Sequence, residues 1–407
     1  MTRVSLLTGC GDKPYAVGLG STLMAQRVGV DLIGGDDLDC PEFRESDCIR
    51  FFNLRGSQRS DVSAVTKMLR VAAYYVRLIR YALTAEPQVF HILWNNKFET
   101  FDRTALMLYY KALRKKIVLT VHNVNAGKRD LNDSLLNRLT LRVQYRLADH
   151  IFVHTSSMKA EMIADFGVAE SAITVIPFGV NQTVPDTALT PREARLRLGI
   201  APAEKTLLFF GNIAPYKGLE YLVAALPRLA RPAEYRLLVA GTPKSGGEKY
   251  WQRVQEAIDA DTSGAAILQK IEFVPDEDTE LYFKAADVLV LPYKYIFQSG
   301  VLFLAYNFGL PVLAADVGSL KDDVVEGRTG FMFKSEDPMD LARAIETYFS
   351  SELFTQLPTR RQRIRDYAND RHSWAKVGVM TQEIYADLLG RDSTLEAAPN
   401  RYREDTR

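Results

Sequence analysis

The chain has 407 residues, more than one hydrophobic core ordinarily serves, so two domains are predicted. With 47% hydrophobic and 25% charged residues it reads as a soluble globular protein, which excludes intrinsic disorder except in the tail after Gly390. The formal net charge of +1 argues against a chain built to bind nucleic acid, but residues 61–150 alone carry 15 Lys+Arg against 7 Asp+Glu, and the remainder is acidic.

The first predicted strand, Val4–Leu7, is too short for a signal-peptide core. No run approaches the ~18 to 20 apolar residues of a spanning helix, so a cytoplasmic protein is expected. Cys10, Cys40 and Cys48 form no Cys-x-x-Cys pair; they suggest neither a disulfide framework nor a zinc site, and fit buried thiols in a reducing cytosol. The glycine-rich stretch Gly9–Ser21 follows the strand. Gly18 and Gly20 in it permit close backbone approach to a ligand, and plain turn chemistry explains them equally well, since Leu23 stands where a dinucleotide fingerprint needs its last glycine. Asp37 and Asp39 have the Asp-x-Asp spacing of a cation site, but their place near a sheet edge assigns them to a solvated loop.

Residues 64–83 read as a helix with a basic side, Lys67, Arg70 and Arg77, beside Arg80 and interleaved with Tyr74 and Tyr81. Lys111, Arg114, Lys115, Lys116, Arg138, Arg142 and Arg146 extend the basic character. Solvated faces account for most of these residues, while their concentration favours an anionic membrane surface or a lipid-linked phosphate as partner. Strands follow at Val89–Leu93 and Ile117–Val121. His122 and Asn123 close the second of these, and an imidazole at a strand's carboxyl end can bond a sugar hydroxyl, share a proton, or simply cap a loop. Further strands are predicted at Ile151–His154 and Ile173–Ile176; His91, His150, His154 and His372 are assigned to packing or surface roles.

The domain boundary is placed in Gly179–Ala203, where Pro185, Pro191 and Pro202 interrupt the periodicity. Beyond it come strands at Thr206–Phe210, Tyr235–Ala240, Ile271–Val274, Val288–Leu291 and Pro311–Ala314, each half forming a doubly wound parallel sheet with ligands expected at the strand ends. In Leu207–Leu226, strand, glycine turn and helix place Lys217 where a phosphate oxygen is met by one point charge; a solvated lysine fits as well. In Phe297–Gly318, a helix beginning at Gln298 and Ser299 aims unpaired amides and a positive dipole end at one point, which suits phosphate. Helical periodicity returns from Trp374 to Leu389.

The blocks GNIAPYKG, FVPDEDTELYFKAADVLVLPY, QSGVLFLAYNFGLPVLAADVG and EGRTGFMF together resemble the second domain of glycosyltransferase family 4. TVHNV, ADHIFVHTSSMK, VIPFGV and SWAKVGVMTQEIY extend the resemblance over nearly the whole chain.

The resemblance implies an α/β GT-B fold of two Rossmann-like domains, residues 1–183 for the acceptor and 184–372 for the nucleotide sugar, with a returning helix at 373–390 and a tail at 391–407. It implies retaining sugar transfer from a nucleotide diphosphate, uridine preferred over guanosine, with no cofactor and no required metal. Gly211, Asn212, Lys217, Gln298, Ser299, Gly300 and Val301 would hold the diphosphate, Val274 and Pro275 would border the base, and His122 would face the reacting sugar. Gly18, Gly20 and Asn123 would line the acceptor side.

Two departures stand out: Ile296 and Leu304 occupy the places of the family's paired glutamates, and Asn212 that of its basic residue. The Gln-Ser-Gly form resembles a subgroup of exopolysaccharide and lipid-linked-sugar transferases. A non-catalytic nucleotide-sugar-binding subunit and a nucleotide-sugar epimerase of the same build are the competing readings.

Overall fold

The structure is a computed structural model that describes residues 2–9, 11–57, 62–130, 133–180, 183–244 and 246–390. The expected tail at 391–407, like Cys10, lies outside the described residues.

The first seven strands are β1 (Arg3–Leu7), β2 (Gly29–Gly34), β3 (Ile49–Asn53), β4 (Val89–Ile92), β5 (Lys116–Val121), β6 (His150–Val153) and β7 (Ile173–Val175). They form one sheet in the order β3-β2-β1-β4-β5-β6-β7. The second sheet, ordered β10-β9-β8-β11-β12-β13, comprises β8 (Lys205–Phe210), β9 (Tyr235–Ala240), β10 (Ala266–Lys270), β11 (Val288–Leu291), β12 (Val312–Ala315) and β13 (Gly330–Phe333). All named strand pairs are parallel. This is the GT-B arrangement of two Rossmann-like sheets. Strand order reverses between β1 and β4 in one sheet and between β8 and β11 in the other, and a crevice opens at the carboxyl ends beside such reversals.

Alternation along the strands divides the first domain into two cores. Leu7, Ile33 and Phe90 face the helices Ala64–Thr84, Met107–Ala112, Leu135–Leu147 and Ser156–Phe166, whereas Leu6, Leu32 and Val89 face the helices Lys13–Ala25 and Trp374–Leu388. The terminal helix thus belongs to the first domain's core. It is tied there by Thr22, whose Oγ1 donates to the Trp374 carbonyl at 3.0 Å, and by a 2.6 Å bond between Tyr385 and Nδ1 of His91. The other ring nitrogen of His91 lies 2.7 Å from Thr120 Oγ1, so this histidine sits inside β4 and packs the interior. Val180, Val184 and Ala194 join the second domain's core, leaving only a short crossing between the sheets.

One predicted strand is misplaced. Residues 271–274 are loop, with Phe273 76% exposed, and the strand pairing with β9 is Ala266–Lys270. As an edge strand, mostly half-buried, it lacks the apolar run that marks a central one. Three strands escaped prediction. Fully buried β2 contains Asp31, whose charge breaks the apolar pattern but is met by Arg3 at 3.1 Å and by the Tyr81 hydroxyl at 2.9 Å. β3 and β13 are short edge strands.

Candidate functional site

The helix at the heart of the site runs Gly300–Asn307, with Ser299 as its N-cap. Ser299 makes no side-chain capping bond; its Oγ instead lies 3.4 Å from the Tyr293 hydroxyl. The first-turn amides therefore face the cleft with the helix's positive end behind them. Glycine at 300 keeps this approach open, since a Cβ there would meet nothing within 4 Å.

Opposite lies the turn after β8. Gly211, with φ of 95°, brings it close enough that a Cβ would sit 3.1 Å from Lys217 Nζ. Gly218, with φ of 64°, turns the chain under the backbone of Pro292, whose carbonyl a Cβ would strike at 2.0 Å. Between them the buried Lys217 places its ammonium over the Tyr293 ring, 5.5 Å from the centroid. Asn212, Lys217, Gln298, Ser299, Gly300 and Val301 line one cavity of about 400 Å³, to which Ile296 and Leu304 present apolar side chains. Val274 is buried in the second core and Pro275 caps the next helix; neither lines this cavity.

From the first domain Asp12 and Tyr15 reach the same cavity. Asp12 caps its helix, accepting from the Tyr15 amide at 3.2 Å, and burial raises its pKa, with the charge of Asp276 across the cleft adding to the rise. Spacing gave no sign of this carboxylate, because it stands alone in the loop after β1.

Tyr15 also packs edge-on against His122, ring centroids 4.6 Å apart. His122 stacks flat on Trp94 at 4.1 Å and 4°. Its Nδ1 lies 3.1 Å from Nε2 of His154, whose Nδ1 lies 3.3 Å from the carbonyl of Ile176. A carbonyl only accepts, so the geometry assigns protons to both Nδ1 atoms and leaves Nε2 of His122 as a bare acceptor. That atom is buried without a protein partner, as are Oδ1 of Asn123 and Oε1 of Gln298. Burial first, and the neighbouring His154 and His91 second, hold His122 well below the usual imidazole range; burial also lowers His154, to about 4. Both rings are neutral near pH 7. Assigning His154 to a packing or surface role left out its bond to His122.

His122 and Asn123 line a second cavity of about 390 Å³ beside Trp94, Asn95, Gln144 and Arg103. Arg103 lies in a π-helical turn, Asp102–Leu106, a form often found at functional sites. Asp102 anchors that turn by accepting from the Asn96 amide at 2.8 Å and from Tyr75 at 3.0 Å. The Arg103 guanidinium donates to Asn137 at 2.8 Å and to Glu99, while its Nε is buried without a partner.

Gly18 and Gly20 are placed elsewhere. Both lie within the helix Lys13–Ala25, where a Cβ at Gly18 would meet the Trp374 ring at 2.2 Å and one at Gly20 would meet Phe43 at 3.0 Å. They admit packing partners rather than a ligand and line neither cavity. In the loop after β1, a Cβ at Gly9, with φ of 55°, would strike the Trp94 carbonyl and one at Gly11 the Trp94 ring, so these glycines let that loop pack on Trp94. Of the basic helix residues, Arg70 and Arg77 reach the carbonyls of Ser57 and Leu54, bracing a loop. Asp39 pairs with Arg44, in keeping with a surface loop.

Comparison with known proteins accords with this architecture. Residues 14–184 match the family described as Glycosyltransferase Family 4, and residues 204–351 that described as Glycosyl transferases group 1. The chain pairs these two glycosyltransferase domains on a GT-B fold. It is 26% identical over 285 residues to D-inositol 3-phosphate glycosyltransferase of Corynebacterium diphtheriae, covering 67% of this chain and 64% of that one. The enzyme of the same name from Nocardia farcinica is 31% identical over 208 residues, 49% of this chain and 44% of that one. The chain thus spans less than two thirds of the length of these relatives. Among solved structures, sucrose-phosphate synthase from Thermosynechococcus elongatus superposes with a TM-score of 0.75 at 19% identity, covering 96% of this chain and 100% of that one. Anabaena HepE in complex with UDP and glucose gives 0.73 at 16%, covering 95% and 100%.

Proposed function

We propose that the protein is a retaining glycosyltransferase that moves a sugar from a nucleoside-diphosphate sugar, a UDP-sugar by preference, to a lipid-linked or polysaccharide-precursor acceptor. The carrying observation is the convergence of Lys217, the open helix start at Ser299–Val301 and Asp12 on one cavity, with His122 packed against Tyr15 of the same cavity. Support for the donor comes from the solved structures of HepE with UDP-glucose. The named activity of the curated relatives, directed at inositol 3-phosphate, supports a phosphate-bearing acceptor beside Arg103.

In this reading the diphosphate rests on the amides of Gly300 and Val301 and on Lys217. Negative charge grows on it as the bond from anomeric carbon to phosphate oxygen breaks, and preorganised amides plus one cation stabilise that charge more in the transition state than in the ground state. Lys217 and the helix start do this without a metal ion. His122 accepts a hydrogen bond from a hydroxyl of the transferring sugar through Nε2 and so orients it. Asp12 offers a carboxylate in the cavity where Ile296 and Leu304 supply none. The acceptor lies in the second cavity, against Asn123, Asn95, Gln144 and Arg103. Membership of the Gln-Ser-Gly subgroup and a cytoplasmic, membrane-peripheral location complete the proposal. Among the described residues no helix is long and apolar enough to cross a membrane.

Ile296 and Leu304 also favour a second reading, a nucleotide-sugar-binding subunit without turnover. Slow nucleotide release from UDP-glucose or another nucleotide sugar, accelerated by acceptor, is the expected result for the transferase. Tight binding with no release across an acceptor panel would establish the binding subunit, and conversion of the donor sugar without any acceptor would indicate an epimerase.

A further inference from the structure

Sixteen large hydrophobic residues are exposed among the described residues, and eleven of them fall between Val65 and Leu139. On the helix Ala64–Thr84, Val65, Leu69, Val76 and Leu83 stand 57–63% exposed at spacings of four, seven and seven residues, which places them in one line along its outer side. The inner side of the same helix is separately apolar, burying Tyr74, Tyr75, Leu78 and Tyr81 against the sheet. Core packing explains that side and leaves the outer line unexplained.

The apolar surface continues beyond this helix. Tyr75 carries Phe98 and Phe101 on its ring, at 5.5 and 5.4 Å, and these are 54% and 37% exposed. At the start of the neighbouring helix Leu135, Leu136 and Leu139 are 87%, 60% and 57% exposed. All three segments belong to the one helical layer that covers a single face of the first sheet.

We propose that the outer surface of this layer docks on an anionic lipid bilayer, with these side chains entering the interface between headgroups and acyl chains. The inference deepens the reading of a lipid-linked acceptor and rests on it. Three observations favour a bilayer over a protein partner. Residues 61–150, which contain the whole surface, hold 15 Lys+Arg against 7 Asp+Glu on a chain of net charge +1, so the charge complements anionic lipid. Lys67, Arg80, Lys97, Arg138 and Arg142 are exposed among the apolar residues, the arrangement of an interfacial helix. The surface also borders the second cavity: Phe98 immediately precedes Glu99, which lines it. A saccharide phosphate anchored in the bilayer would meet Arg103 without leaving the membrane surface.

The test is co-sedimentation of the full chain with vesicles of phosphatidylcholine alone and of phosphatidylcholine with one third phosphatidylglycerol. Wild type is expected to bind the anionic vesicles. The triple substitution Leu135→Ser, Leu136→Ser, Leu139→Ser and the pair Val65→Ser, Leu69→Ser should each weaken binding by about tenfold or more, with thermal unfolding unchanged. Wild type remaining in the supernatant, or variants that bind as it does, would overturn the proposal. So would sedimentation equilibrium showing a dimer that both variants abolish, since the face would then belong to a second copy. Donor hydrolysis measured without vesicles separates this from the transferase reading: turnover without docking sinks only the bilayer, and docking without turnover sinks only the transferase.

Discussion

Nδ1 of His122 and Nε2 of His154 lie 3.1 Å apart, and this bond decides which nitrogen of His122 meets a ligand. With His154 fixed by the Ile176 carbonyl, His122 must donate through Nδ1 and accept through Nε2. His122→Ala should therefore lower kcat/KM for transfer by roughly 100-fold, and His154→Ala by roughly 10-fold. His154→Gln, which can accept from His122 and donate to Ile176, should recover part of the loss. Steady-state kinetics on the three variants checks this, and a silent His154→Ala would remove the orienting bond from the mechanism.

Lys217 is held by its surroundings at the cavity of about 400 Å³, beside Gly211 and over Tyr293. Lys217→Ala should reduce kcat by roughly 10²- to 10³-fold, the range for removing a preorganised partner of developing charge. Gly211→Ala supplies an independent check: its Cβ would lie 3.1 Å from Nζ at a backbone φ of 95° that side chains rarely adopt. It should lower turnover while Lys217 itself is retained. Equal activity in wild type and Lys217→Ala would dissociate the lysine from the leaving group.

Much of this site was legible in the sequence because its parts are local. A glycine turn before a lysine and a Ser-Gly step before an apolar helix each mark residues that the structure brings to one cavity. The hidden parts are assembled across the fold. His154 joins His122 from the adjacent strand, Asp12 enters from another loop, and Arg103 is turned inward by a π-helical step whose anchor, Asp102, bonds Tyr75 on a different helix. Spacing carries no record of such pairings. Gly18 and Gly20 misled for the reverse reason, since a glycine shaped for Trp374 or Phe43 reads like one shaped for a ligand. The Asp31 strand was missed because a buried charge interrupts the apolar run, and only the structure shows Arg3 and Tyr81 meeting it.

Acid should destabilise the protein. Burial holds His91 near 3 and both His154 and His372 near 4, below the ordinary 6.5. A depressed folded value means the stabilisation is complete above pH 6.5 and is lost as pH falls toward about 4. Asp323, raised by burial to about 7, works in the opposite direction, its contribution fading as pH rises through 7. His122 and His150 are lowered by burial as well, so the histidines outnumber the carboxyls that burial raises, Asp12, Asp102, Asp287 and Asp323, and the unfolded chain takes up more protons than the folded one as pH falls. Urea unfolding compared at about pH 7.5 and about pH 5.5 should show the loss, and equal stability at both would contradict it.

The returning helix offers a test of what holds it to the first sheet. Tyr385 is fully buried, and its hydroxyl meets Nδ1 of His91, whose other nitrogen is bonded to Thr120. Tyr385→Phe removes one oxygen while keeping the ring, so no cavity of consequence forms and the effect isolates the hydrogen bond. A buried histidine nitrogen then loses its partner, at a cost of about 1 to 3 kcal/mol. His91 can be relieved by a companion change: in His91→Leu with Tyr385→Phe neither polar group remains, and part of the loss should return, less the cost of taking from the Thr120 hydroxyl its bond to the other His91 nitrogen. A double-mutant cycle by urea unfolding measures the coupling directly. Additive effects of the two substitutions would show that the bond between Tyr385 and His91 contributes nothing, leaving the helix to the Thr22 bond and the apolar packing of Val377 and Trp374.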